Sequence, residues 1–298
     1  MKRTILRDIK KWWIGISFVF PACVFFGILI LFPVLKSIYL SFTDYTILLE
    51  DISLIGLSQY SDLFRDSKFY LALKNTLIWS VFYTILSVGI GLILAIVLNT
   101  IRWISNILRL AFYYPMVLSF VVIGLLWMWM YLPDIGIINT ILRTIGLKRL
   151  AVPWLGKSST ALYGIIVAAS WQQAAYCMVL YLAGLAMIPV EYLEAAQIDG
   201  ATHLQSFLNI VLPLLNRVTA LAVVTTVLKS FKVFDLVYIM TYGGPYRASI
   251  VLPFFMYEEA FHNYRMAYGT AIAVVSLIVV FPFIVFYLRH LTTREVSE

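Results

Sequence analysis

Thr225, Thr226, Lys229, Ser230, Lys232 and Asp235 fall within three turns of an otherwise apolar stretch. Upstream, SWQQAAY at 170–176 sets Gln172 and Tyr176 on one helical face at i, i+4, with Gln173 beside them and Trp171 nearby. Polar side chains in apolar helices are costly and turn toward a bundle interior or a wet cavity. Amides, hydroxyls and aromatic rings suit a solute with many hydroxyls and apolar C–H faces, such as a sugar. The competing use is hydrogen bonding between helices, with Lys232 and Asp235 simply paired at i, i+3. A cavity-facing Lys229 would suit an acidic solute, a uronate or a phosphorylated polyol, whereas a lysine near a helix end also snorkels to the interface.

Other chemistries find little support. His203, His262 and His290 are isolated, and the chain has no H-E-x-x-H, no G-x-S-x-G and no Cys–His pair. Cys23 and Cys177 lie in apolar segments without ligand-spaced neighbours, so neither a disulfide nor a metal site is expected. AVPWLGKS at 151–158 ends like a phosphate loop, but Ala151 replaces the first glycine. Pro153 and Trp154 also stand where backbone N–H donors are needed. No nucleotide site is expected on this chain.

A second polar island reads EYLEAAQIDGATHLQSFLNIVLPLL at 191–215, with three acids and no Lys or Arg. Pro189 ends the preceding helix, residues 191–198 are strong helix formers, Asp199 is expected to N-cap a second helix, and Gly200 relaxes the bend. Leu204, Phe207, Leu208 and Val211 then form an apolar stripe. The expectation is a helix–turn–helix at the membrane surface. Ala195 and Ala196 would permit close approach of a partner, and Glu191 and Glu194 could meet a basic rim. On these residues alone, a capped hairpin without a partner is equally good.

The elements that position these residues are membrane spans. The 298 residues are 62% hydrophobic and only 12% charged, against about 25% charged in a typical soluble domain. The net charge of +7 is scattered over loops and tails without a contiguous stripe, which argues against nucleic acid. Six segments reach the roughly 20 apolar residues that a bilayer requires: 13–40, 71–98, 108–132, 160–187, 212–239 and 267–290. FPAC at 20–23 looks like a lipoprotein cleavage site, but the apolar run continues past Cys23, which predicts an uncleaved span.

The fold expected is an all-α integral membrane protein of six transmembrane helices, with a helix–turn–helix at 188–212 between the fourth and fifth. Residues 13–290 form one domain between tails at 1–12 and 291–298. Lys2, Arg3, Arg7, Lys10 and Lys11 favour a cytoplasmic start, which places both tails and 188–212 inside. Arg143, Lys148, Arg149 and Lys157 on the opposite side weigh against this. Kinks are expected at Pro21, Pro33, Pro115 and Pro282, and Pro213 suits an opening turn.

EAAQIDGATHLQSFLNIVLP at 194–213 resembles the EAA signature of inner-membrane permease subunits of binding-protein-dependent ABC importers. SFKVFDLVYIMTYGGP at 230–245 is similar to the carbohydrate-uptake, maltose/glycerol-phosphate permease-like branch of that family. IYLSFTDY (38–45), IGLSQYSDLF (55–64), NTLIWS (75–80), LNTIR (98–102), YYPMVLSFVVIGLLWMWMY (113–131) and VPWL (152–155) extend the resemblance over residues 15–290. Arg217 departs from it, standing where many relatives carry a second proline, so a less bent fifth helix is expected.

The resemblance implies a bacterial or archaeal cell-membrane permease that imports a sugar, working with a homologous second permease, two ABC ATPases and an extracytoplasmic solute-binding protein. ATP and Mg would sit on the ATPases, with no cofactor on this chain. It further implies that Glu194, Ala195, Ala196 and Gly200 dock 188–212 into an ATPase cleft. The matching helices would contact the sugar through Gln172, Gln173, Tyr176, Thr226 and Ser230. Asp44, Glu50, Asp51, Asp62 and Asp66, and Gly243-Gly244-Pro245 with Tyr246, are the loop residues available to a binding protein. An ion-coupled carrier or channel is the alternative, but the sequence shows no inverted repeat, and apart from Asp235 its acids lie in loops.

Overall fold

The computed structural model describes residues 17–46, 52–100 and 105–295. Tail 1–12 with its five basic residues, Glu50, Asp51 and residues 296–298 lie outside the described residues. Among the described residues the regular structure is all helix apart from one isolated antiparallel bridge, Thr43 to Leu54, with loops and turns between the helices. In chain order the helices are α1 (Ser17–Leu40), α2 (Ser58–Arg65), α3 (Ser67–Thr100), α4 (Ser105–Val117), α5 (Phe120–Met130), α6 (Ile137–Thr144), α7 (Ala161–Ala186), α8 (Val190–Ile198), α9 (His203–Leu214), α10 (Asn216–Ser230), α11 (Asp235–Met240), α12 (Leu252–Tyr257) and α13 (Met266–Glu295).

α1, α3, α7 and Met266–Phe283 of α13 are each long and apolar enough to cross a bilayer. The pairs α4–α5 and α9–α10 qualify only when each bent pair counts as one span. Segment 108–132 is therefore not the single helix expected from its hydropathy: α4 and α5 meet at 105°. Pro115 cannot donate in the last turn of α4, and Ser119 starts α5 afresh, its hydroxyl accepting the Val122 N–H at 3.4 Å. Segment 212–239 divides as well. α9 and α10 meet at 63° around Leu215, so Arg217 does not straighten this junction, and α11 is a separate helix beginning at Asp235.

Two prolines leave a common signature. Residues Gly27–Leu31 and Phe207–Val211 are π turns, and Pro33 and Pro213 stand two positions beyond their ends. A proline ring crowds the carbonyl four residues back and offers it no N–H. Widening the preceding turn to i→i+5 bonding relieves that conflict, and the helix continues.

The chain divides into two compact units. The first takes the chain up to Asp66 together with Met256–Leu277. The large apolar side chains of α1 are exposed from Phe18 to Leu35. Ala267 N–H donates to Tyr45 O at 3.0 Å, and the Tyr268 hydroxyl donates to Asp66 Oδ2 at 2.9 Å. The buried carboxylate of Glu259 pairs with Arg265 at 3.1 Å, and that guanidinium lies 4.1 Å from the centre of the Tyr268 ring.

The second unit takes Ser67–Phe255 and the chain from Ile278. α7 is its axis, buried along most of its length by Ala161, Ile165, Ala168, Ala169, Ala174, Ala175, Cys177 and Tyr181. Its most extensive partner is α3, whose small inward residues Ala72, Gly91 and Ala95 permit close approach of the two backbones. Asn75 on α3 donates to Ala248 O and Ile250 O at 3.0 and 2.9 Å, and Leu252 N–H donates to Thr76 Oγ1 at 2.9 Å. These bonds fasten the segment that follows α11 to α3.

Candidate functional site: a polar-walled cavity and an exposed hairpin

Within the second unit, a cavity of about 400 Å³ opens among helices whose compositions are apolar. α3 contributes Trp79 and Tyr83, one turn apart, with their rings stacked at 5.9 Å. The α4–α5 break contributes Met116 and Phe120, one from each side. α7 supplies Gln172, Gln173 and Tyr176, and the C-terminal turn of α10 supplies Lys229. Lys232, Val233 and Phe234 enter from the link to α11, with Asp235 and Leu236 from its first turn.

The polar wall is tied together. Gln173 sits at the centre of a relay: its Nε2 donates to Thr226 Oγ1 at 2.9 Å, and its Oε1 accepts from Lys229 Nζ at 3.0 Å. The same ammonium lies 4.4 Å from the centre of the Tyr176 ring. Gln172 Nε2 donates to Leu118 O at 2.7 Å, which satisfies a carbonyl freed at the α4–α5 break. Wall residues thus hold the helix break as well as face the cavity.

Gln172, Gln173, Tyr176 and Lys229 line this space, whereas three other sequence-derived candidates do not. Thr226 is fully buried behind Gln173. Ser230 is equally buried and donates to Ser80 Oγ at 2.8 Å, joining α10 to α3. Trp171 makes an edge contact with Trp127 at 6.0 Å. Lys232 and Asp235 both line the cavity, but no ion pair joins them among the described residues. Sequence reading missed Trp79, Tyr83, Met116, Phe120 and Phe234 as wall residues; the one available signal was the i, i+4 spacing of Trp79 and Tyr83.

The acidic segment forms two short helices, α8 and α9, joined by a turn. Gly200 has φ +76°. Its N–H bonds Gln197 O at 3.1 Å and the Ala201 N–H bonds Ala196 O at 2.9 Å, a Schellman ending that favours glycine. Asp199 is not the N-cap of the second helix, as its type suggested, but closes the first. Thr202 takes the N-cap through a capping box with Gln205: Thr202 N–H donates to Gln205 Oε1 at 2.8 Å, and Gln205 N–H donates to Thr202 Oγ1 at 3.3 Å. The box carries a signal that sequence reading overlooked, Thr-x-x-Gln.

Glu191, Glu194 and Ala195 are exposed, and among the described residues neither glutamate has an ion-pair partner. Ala196 is buried instead. The stripe assigned to the second helix is half realised: Val211 is buried, whereas Leu204 and Leu208 are exposed.

In the loops, Asp44 accepts the Ser53 N–H at 2.8 Å and the Ser53 hydroxyl at 2.5 Å, which holds its carboxyl below the ordinary range. Asp66 is occupied by Tyr268, Asp62 is exposed, and Tyr246 is the most exposed large apolar side chain of the YGGP loop.

The model of the family described as "Binding-protein-dependent transport system inner membrane component" matches residues 87–296. That range contains α7, the α8–α9 segment and α10. The chain belongs to that family. Relatives align over nearly its full length. The "Probable ABC transporter permease protein PH1215" of Pyrococcus horikoshii is 38% identical, covering 90% of this chain and 94% of its own. The "Xylose/arabinose import permease protein XacH" of Haloferax volcanii is 35% identical, covering 96% and 88%. A solved bacterial ABC transporter involved in the import of the acidic polysaccharide alginate shares the fold, with a TM-score of 0.81 at 24% identity over 98% of this chain and 99% of that one. The protein is a multi-pass inner-membrane permease, and as the membrane component of its transporter it leaves ATP hydrolysis to separate subunits.

Proposed function

We propose that this permease forms half of the translocation path of an ATP-driven importer for a sugar or a related polyol or oligosaccharide. The cavity carries the proposal. It sets aromatic faces from Trp79, Tyr83, Tyr176, Phe120 and Phe234 against the amides of Gln172 and Gln173. Rings cover the C–H faces of a sugar while amides exchange hydrogen bonds with its hydroxyls. The XacH relative, named for xylose and arabinose import, supports the same class. Thr226, Ser230 and Trp171 act at one remove, by holding Gln173, α10 and Trp127.

The proposed assembly pairs the chain with a homologous permease, two ABC ATPases and an extracytoplasmic solute-binding protein. With six spans and both termini cytoplasmic, the α8–α9 segment meets the ATPase. Glu191, Glu194 and Ala195 form the contact edge, while Ala196, Asp199 and Gly200 shape the turn. Exposed acids without internal counter-ions suit a basic rim on the partner, and a Schellman turn beside a capping box keeps the segment rigid.

The test is ATP hydrolysis by the reconstituted transporter, stimulated by sugar-loaded binding protein. Glu194→Lys is expected to abolish stimulation while the chain still inserts. Gly200→Pro should do the same, because proline holds φ near −65° where the turn needs +76°. Normal stimulation in both variants rules out the docking role.

A further inference from the structure

The cavity contains an uncompensated positive charge. Its lining includes two lysines, Lys229 and Lys232, and one acid, Asp235. Among the described residues neither lysine lies within ion-pair distance of a carboxylate. Lys229 is held by neutral groups: the Gln173 carbonyl oxygen at 3.0 Å, the Tyr176 ring at 4.4 Å and the C-terminal turn of its own helix. A ring quadrupole and a helix C-terminus attract a cation, yet neither carries a full negative charge. Asp235, in the first turn of α11, sits where a helix N-terminus already favours an acid.

A cation in a partly apolar cavity is normally paired. Here Gln173 and Tyr176, one turn apart on α7, fix the ammonium in place, and among the described residues no counter-ion meets it. If Lys229 were only a tie between α10 and α7, an uncharged donor would serve without the desolvation cost. From the net positive lining and the unpaired, immobilised ammonium we infer that the solute itself brings the counter-ion: the cavity selects carbohydrates bearing an anionic group, with Lys229 the residue that determines this preference. The inference rests on the carbohydrate reading proposed above and narrows it to acidic sugars. A carboxylate and a phosphate ester share the relevant chemistry.

The test uses the assembled permease–ATPase complex in nanodiscs without binding protein, so that the receptor's own selectivity does not enter. Affinities are measured by calorimetry for two matched pairs, trigalacturonate against galactotriose and glucose 6-phosphate against glucose. In wild type the anionic member of at least one pair is expected to bind about tenfold more tightly or better, equivalent to about 1.4 kcal/mol. The favoured pair distinguishes carboxylate from phosphate. Lys229→Gln should bring that ratio near one, with the larger loss falling on the anionic member, and Lys229→Arg should retain it. Gln173→Glu gives the ammonium a partner in place and should also remove the preference, which provides a second route if Lys229→Gln fails to assemble.

Neutral sugars binding as tightly as their anionic partners in both pairs overturn the inference. So does an anionic preference that survives both Lys229→Gln and Gln173→Glu. Parallel loss of both affinities in Lys229→Gln marks a purely structural lysine and also overturns it. Absence of binding by all four probes, neutral and anionic, counts against the carbohydrate reading itself.

Discussion

Gly91 is expected to set the distance between α3 and α7, and thereby the shape of the cavity. A methyl carbon at this position would lie 2.5 Å from Cys177 Cβ, 2.9 Å from Met178 N and 3.0 Å from Ala174 O. Comfortable carbon contacts begin near 3.5 Å, so roughly 0.5 to 1 Å of room is missing. Two of the three obstacles are backbone atoms of α7, which cannot rotate aside, so the helix itself must retreat. Overpacking of this kind costs about 1–3 kcal/mol. Alanine in place of a helical glycine returns about 0.5–1 kcal/mol.

Gly89 provides the control. It lies on the same helix two residues away, and a methyl carbon there meets nothing within 4 Å. Gly89→Ala should therefore gain the backbone contribution alone. The difference in stability between the two variants isolates the steric cost, about 1–3 kcal/mol against Gly91→Ala. Thermal unfolding in detergent measures it, read by tryptophan fluorescence and by maleimide labelling of buried Cys177 after exposed Cys23 is replaced with serine. Trp79 and Tyr83 stand on α3 opposite Gln172, Gln173 and Tyr176 on α7, so a retreating α7 should also weaken solute binding in Gly91→Ala only. Equal melting of the two variants would show that the helices are not in limiting contact at Gly91, and the reasoning would fail.

Thr202→Ala removes the capping box and should destabilise the start of α9 by about 1 kcal/mol. Faster hydrogen exchange of the amides of 203–206, with unchanged solute binding, is the expected result; unaltered exchange counts against the cap. The depressed carboxyl of Asp44 makes its tie to Ser53 pH-dependent. A group whose acidity rises on folding contributes above its ordinary value of 3.8 and loses that contribution as pH falls through the lower, folded value. NMR titration should find Asp44 below 3.8 in wild type and closer to it in Ser53→Ala. A titration that Ser53→Ala leaves unmoved would remove the hydrogen bonds as the cause.

Hydropathy located α3 and α7 within a few residues because bilayer thickness imposes a minimum length that a sequence displays directly, but it set the fifth segment at 212–239 where the bent apolar pair runs from His203 to Ser230. It did not reveal the 105° break between α4 and α5. Apolar composition is the same on both sides of a bend, and only Pro115 followed by Ser119 hints at one. Asp199 shows a local ambiguity: aspartate is at home at either end of a turn, and Gly200 immediately after it decides for the C-terminal end. Gln172, Gln173 and Tyr176 were legible as an interior face because polar residues in a span have few other uses. Trp79, Tyr83 and Phe234 were not, since aromatic residues suit lipid, a helix interface and a cavity equally, and only tertiary packing distinguishes these.

The cavity lies where helices are interrupted, and physical reasons connect the two. A break frees backbone groups that hydrocarbon cannot satisfy, so polar side chains must come to meet them, as Gln172 does at Leu118 O. The α4–α5 break delivers Met116 and Phe120 to the cavity, and the α10–α11 link delivers Lys232, Val233 and Phe234. These short connections can change backbone angles at lower cost than a continuous helix, which makes them the parts of the wall best suited to move. α10 joins the second interruption to the exposed α8–α9 segment. It begins at the Leu215 bend, directly after α9, and its last turn carries Lys229. Its 15 residues span about 22 Å. On the docking role proposed above, a displacement of the α8–α9 segment has one continuous helix, α10, along which to reach the ammonium that Gln173 and Tyr176 hold.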